Sequence, residues 1–221
     1  MFSNSGHDLS CMLNYVDYIN KNNIKNIVTL KNYINTNNFK LLIHLLPMDI
    51  NVIELSHETV YFFKEIIIIE QMHYNVLYHS DLICNLKNII NEKYSNQYSD
   101  YKNKNIILMK TNRSPNVMLQ STVVHCENLL VRLENIGYIY VIPENMDIIY
   151  LAILLMNANK IIFSTGSIVY TNKCFFNENA KLYFVTHYFN RIDTNCSGIS
   201  TKNFTYVNAY LNDDEIIKLI E

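Results

Sequence analysis

Glycine is nearly missing from this chain. Four residues of 221 are glycine: Gly6, Gly137, Gly166 and Gly198. Average usage of roughly 7% would place about fifteen. No G-x-G-x-x-G and no G-x-x-x-x-G-K-[ST] occurs, which excludes a glycine-rich dinucleotide fingerprint and a P-loop. Any phosphate site must therefore use another device. Arginine is scarcer still, with Arg113, Arg132 and Arg191 alone. Asparagine and isoleucine, at 33 and 30 residues, are in excess. Codon bias of an AT-rich genome explains that excess, as in a large DNA virus or an AT-rich microbe, and it raises the information carried by each arginine.

Charge of one sign is lacking too. Eighteen basic residues stand against 20 acidic ones, a net of -2. Nucleic-acid binding would want a basic excess, so no nucleic-acid partner is expected. Cys11, Cys84, Cys126, Cys174 and Cys196 are odd in number, widely spaced and without a C-x-x-C. They predict neither a disulfide framework nor a zinc site, and they suit a reducing compartment. No H-E-x-x-H, D-x-D or G-x-S-x-G occurs, which weighs against a zinc hydrolase and an α/β-hydrolase. No apolar run approaches the ~20 residues that cross a bilayer, and the first residues show no basic or apolar leader. The expectation is a cytoplasmic protein with no transmembrane segment (in the host cytoplasm if viral).

What is present is alternation. Helix patterns are predicted at Leu9–Ile19, Phe39–Leu46 (stopped by Pro47), Asp81–Lys93, Thr122–Ile136, Met146–Asn157 and Asp213–Glu221. A helical turn is expected within Ile168–Phe175. Strands are predicted at Lys25–Leu30, Asn51–Leu55, Glu65–Glu70, Asn105–Met109, Gly137–Ile142, Lys160–Phe163, Lys181–Val185 and Phe204–Asn208. Glu65–Glu70, apolar on both faces, is expected inside a covered sheet. Strand–helix–strand alternation implies parallel sheet with helices on both faces. The polar stretch Tyr94–Lys104 divides the chain into two Rossmann-like domains, residues 1–95 and 96–221.

Ligands in such sheets bind beyond the carboxyl ends of the strands, so the residues after each strand matter most. Arg113 follows the Asn105–Met109 strand and can grip phosphate or carboxylate bidentately. As a loop arginine it can equally be solvated. Glu144 follows Pro143 after the next strand and can accept from sugar hydroxyls, or serve the next helix N-terminus by charge–dipole attraction. Ser164, Thr165, Gly166 and Ser167 join a strand to a helical turn. Their hydroxyls and amides can hold a diphosphate, or Ser167 can simply cap the turn. In the first half, His7 and Asp8 are candidate bases, with a capping turn as the other reading.

The second half resembles glycosyltransferase family 61. The match runs through Arg113, then Glu127 to Gly137-Tyr138 and on to Pro143-Glu144. It continues through Ala158 to Thr165-Gly166-Ser167 and Thr171-Asn172-Lys173-Cys174-Phe175. Asn4-Ser5-Gly6-His7 is similar to the family's N-x-x-H segment. Departures occur at Thr165, where the family has His, near Ser121, where a second Arg is missing, and at Cys11, where it has an acid. The resemblance implies a GT-B architecture, two Rossmann-like domains facing a cleft. It implies inverting transfer from a nucleotide sugar, a UDP-sugar foremost, to a glycan or protein-linked acceptor, with no cofactor and no metal. Arg113, Glu144, Ser164, Thr165, Gly166, Ser167 and Asn172 would bind the donor, and His7 or Asp8 would act as base. The departures leave a catalytically inactive relative, a glycan-binding or scaffolding protein, as the alternative.

Overall fold

A computed structural model describes residues 15–16, 18–30, 34–67, 80–109, 127–164, 173–186 and 203–221. The architecture is mixed α/β with parallel-strand sheets, of the Rossmann-like kind. The chain divides into two compact units, Met1–Ile89 and Ile90–Glu221.

In the first unit, β1 (Asn26–Leu30) and β2 (Asn51–Leu55) pair in parallel, with Val28 opposite Ile53. Residues 15–16 and 18–21 are helical before β1. Between the strands runs α1 (Asn37–Leu42), capped where the Thr36 side chain accepts from the Phe39 amide. Turns then carry the chain to Pro47. The predicted helix was longer; it ends early because Ile43 to Leu45 close as turns, His44 N–H reaching only Leu41 O and Leu45 N–H only Leu42 O.

The predicted interior strand at Glu65–Glu70 is corrected in part. Residues 65–67 belong to no strand, and Ile66 and Ile67 are both more than half exposed. An apolar run signals a need for burial, but strand formation also needs a partner edge to satisfy its backbone. Residues 68–70 lie outside the described residues.

α2 (Ser80–Tyr94) carries Leu86 and Ile90 fully buried, one turn apart. It runs into a 3-10 turn at Ser95–Tyr101, within the polar stretch that the sequence marks as the division between domains. The second unit then builds five strands: β3 (Asn105–Leu108), β4 (Tyr138–Tyr140), β5 (Lys160–Ser164), β6 (Lys181–Thr186) and β7 (Phe204–Asn208). Their order is β4-β3-β5-β6-β7, all parallel. Within this unit that order is 2-1-3-4-5, a doubly wound sheet whose winding reverses between its first and third strands.

Both faces of the sheet are covered. Ile107, Ile162, Val185 and Val207 share one core with α3 (Glu127–Asn135) and α5 (Asp213–Ile220). Strand alternation turns Phe163 to the other face, where it meets Phe176 at 5.2 Å and Phe184 at 5.1 Å between ring centres. That face carries α4 (Ile148–Met156), apolar all round and almost wholly buried, as a helix covered on every side must be. Gly137 ends α3 with φ of +92°. Its amide donates to Glu134 O at 3.0 Å. That left-handed conformation is the usual glycine stop of a helix. At the same amino end of the sheet, Lys160 Nζ donates to Ile220 O at 2.9 Å and Glu221 O at 3.0 Å. The ammonium thereby satisfies carbonyls that end α5 and complements its dipole.

Candidate functional site

Three neighbouring strands define the candidate site. In register, Ile107 lies opposite Tyr140 of β4 on one side and Ile162 of β5 on the other. Leu108 lies opposite Phe163. Since the strands are parallel, the chain leaves all three at one edge of the sheet. The reversal in winding falls between β3 and β5, the position at which sheets of this kind bind their ligands.

Ser164 is the last residue of β5 and is 2% exposed. Glu144 lies in a 3-10 turn, Pro143–Asn145, just beyond β4. Proline suits the first helical position because it has no N–H to leave unpaired. Asp147 then caps α4, accepting from Ile149 N at 2.9 Å and Tyr150 N at 3.2 Å. His7, Asp8, Arg113, Thr165, Gly166, Ser167 and Asn172 lie outside the described residues. What is described is where their segments depart: Arg113 is in the connection that leaves β3, and Thr165 to Asn172 in the one that leaves β5.

Sequence reasoning missed two residues here. Among the described residues, the buried Ser, Thr and charged side chains are Ser164, Lys173 and Thr186. Thr186 closes β6 as Ser164 closes β5. Lys173 opens the 3-10 turn Lys173–Phe175 between them and is 3% exposed. Burying an ammonium costs several kcal/mol before compensation, so its placement beside the β5 connection is a strong local feature. In the sequence it sits in the polar string Thr171-Asn172-Lys173, which reads as surface. Thr186 was legible only as a strand-end hydroxyl.

Among the described residues, two cavities stand out, each within one unit. The larger, about 860 Å³, lies in the first unit over β1, walled by Tyr15, Tyr18, Phe39, Phe63 and Ile66. The smaller, about 250 Å³, lies in the second unit beside β4, and its lining includes Ile142, Asn145 and Met146, residues on both sides of Glu144. Tyr150 also lines it; burial first, then a hydrogen bond with Tyr101, pushes its hydroxyl above the ordinary tyrosine range. Among the described residues, no three of His, Cys, Asp and Glu gather as metal ligands. No described helix is long and apolar enough to cross a membrane.

No protein-family model matches the sequence. No curated protein matches it significantly.

Proposed function

We propose that the chain is an inverting glycosyltransferase acting in the cytoplasm, with two Rossmann-like domains facing a cleft in the GT-B manner. Its second domain would bind a nucleotide sugar, a UDP-sugar foremost, at the carboxyl edge of the sheet. The adjacency of β4, β3 and β5 carries this reading, because it directs the segments bearing Glu144, Arg113 and Ser164–Ser167 to one edge.

The roles follow from chemistry. The Arg113 guanidinium grips the diphosphate through two parallel hydrogen bonds. The hydroxyls of Ser164, Thr165 and Ser167 and the backbone at Gly166 add donors, with Asn172 beside them. Lys173, at the end of the same connection, adds a cation in a low-dielectric setting, where charge acts most strongly. Glu144 accepts from sugar hydroxyls. In the first domain, His7 or Asp8 takes the proton of the acceptor hydroxyl. The acceptor oxygen bonds to the anomeric carbon as the bond to the diphosphate breaks, and the nucleoside diphosphate leaves with the electron pair. Fixed donors at the leaving oxygen stabilise the charge that develops there, without a metal or other cofactor.

Calorimetry with UDP, GDP and CMP on the full chain tests the reading. A nucleotide that binds the intact protein and fails to bind Arg113→Ala supports it; binding of none removes it. Thr165 and Cys11, which replace the family's His and acid, favour a second reading: a glycan-binding relative without activity. Release of free sugar from a nucleotide sugar, abolished in Arg113→Ala, decides for the enzyme.

A further inference from the structure

The cavity beside β4 has a chemistry of its own. At about 250 Å³ it falls just under the ~300–1,000 Å³ of sites for drug-sized ligands, so it suits one ring. Val141 and Leu154 form a buried apolar floor. Tyr101, Tyr140 and Tyr150 supply aromatic walls. The Tyr101 ring stands edge-on to Tyr150, with centres 4.7 Å apart and planes at 89°. Tyr98 braces Tyr150 as well, at 5.1 Å and 55°. Rings packed in this way hold their orientation before a ligand arrives. An edge-on pair offers no parallel slot of the kind a flat nucleobase fills. At the mouth, Asn145 is exposed, and its side-chain amide makes no hydrogen bond among the described residues. That amide offers two donors and an acceptor.

We propose that this cavity is a saccharide subsite that takes one pyranose ring. A pyranose carries a C–H face and a rim of hydroxyls. The face packs on tyrosine and on the apolar floor, and the rim meets the Asn145 amide and the tyrosine oxygens. Tyrosine, apolar in body and polar at its tip, suits both halves of such a ligand. The subsite stands on the cavity's own chemistry and needs no nucleotide at the carboxyl edge of β3 and β5.

The test is saturation-transfer NMR on the full chain without nucleotide. The probes are glucose, galactose, xylose and N-acetylglucosamine at millimolar concentration, with cyclohexylmethanol as an apolar ring control. At least one pyranose is expected to receive saturation, and more strongly than the control. Asn145→Ala removes an exposed side-chain amide, so folding should persist, as circular dichroism would verify. This variant is expected to weaken the pyranose about five- to tenfold, the worth of one hydrogen bond. Absence of transfer to every pyranose would overturn the subsite, as would equal binding of the control or unchanged affinity in Asn145→Ala. Failure of nucleotide binding in calorimetry would leave this result untouched.

Discussion

Leu108 and Phe163 stand opposite each other where β3 pairs with β5. Both lie at the carboxyl ends of their strands, so the chain leaves the sheet at two points one strand spacing apart, ~4.8 Å. Arg113 follows Leu108 by five residues and Thr165 follows Phe163 by two. A fully extended chain covers at most about 3.6 Å per residue, which keeps the Arg113 backbone within roughly 18 Å of Leu108. The scarce arginine and the hydroxyl-rich segment therefore start from neighbouring points at the reversal of the winding.

That relationship makes Arg113 the first position to test. Charge-assisted hydrogen bonds contribute about 1.5–3 kcal/mol each, so Arg113→Ala is expected to weaken a bound nucleoside diphosphate at least tenfold. Arg113→Lys keeps the charge but not the planar fork, and should recover only part of the loss. Titration calorimetry of the three proteins with UDP reads both effects. Equal affinities across the series would remove Arg113 from the site.

Tyr138 offers a test of packing. It is buried between α3 and α5, and among the described residues its hydroxyl has no hydrogen-bond partner. An unsatisfied buried polar group costs about 1–3 kcal/mol. Tyr138→Phe should therefore stabilise the fold and raise its midpoint by about 2–4 °C per kcal/mol gained. Burial first, then the neighbouring Tyr183 and Glu221, pushes the hydroxyl well above its ordinary range. The sign follows: with the folded pKa above the unfolded one, the contribution is complete below pH ~10 and is lost as pH rises toward the folded value. The native protein should lose stability above pH ~10 more steeply than Tyr138→Phe does. Thermal melts at pH 7 and pH 10.5 would show it, and a lower midpoint for Tyr138→Phe at pH 7 would contradict the burial argument.

Much of the second unit was legible because its signals are local. The run Lys160–Phe163 reads as a strand and Met146–Asn157 as a helix, and both are found close to those bounds. Strand order was not legible. That β3 sits between β4 and β5 is decided by pairing across 30 to 55 residues, which no local pattern encodes. The tyrosines of Tyr94–Lys104 were hidden by a polar background, although Tyr98 and Tyr101 pack against Tyr150. The run at Ile66–Ile67 misled in the opposite direction, since apolarity alone does not supply a neighbouring strand.

Gly137 isolates backbone strain from packing. A Cβ placed there would meet nothing within 4 Å, yet φ is +92°. Gly137→Ala should therefore cost stability through conformation alone, by about 1 kcal/mol or more. Gly137→Asn, which tolerates the left-handed region better, should cost less than alanine. Chemical denaturation of the two variants supplies the comparison, and an alanine variant as stable as the native protein would mean the turn is not held at positive φ in solution.

Asp147 ties the stability of α4 to the cavity beside it. Its carboxylate accepts from the amides of Ile149 and Tyr150, two of the four that a helix start leaves without partners. Asp147→Ala should cost about 0.5–2 kcal/mol, while Asp147→Asn and Asp147→Ser keep an acceptor and should stay close to the native value. Tyr150 belongs to that first turn and lines the cavity with Asn145 and Met146. Loosening the cap should therefore also weaken any pyranose bound there, and the asparagine variant should restore it. Urea denaturation and saturation-transfer NMR on the three variants separate the effects. An alanine variant with a native midpoint would show that burial alone fixes this helix.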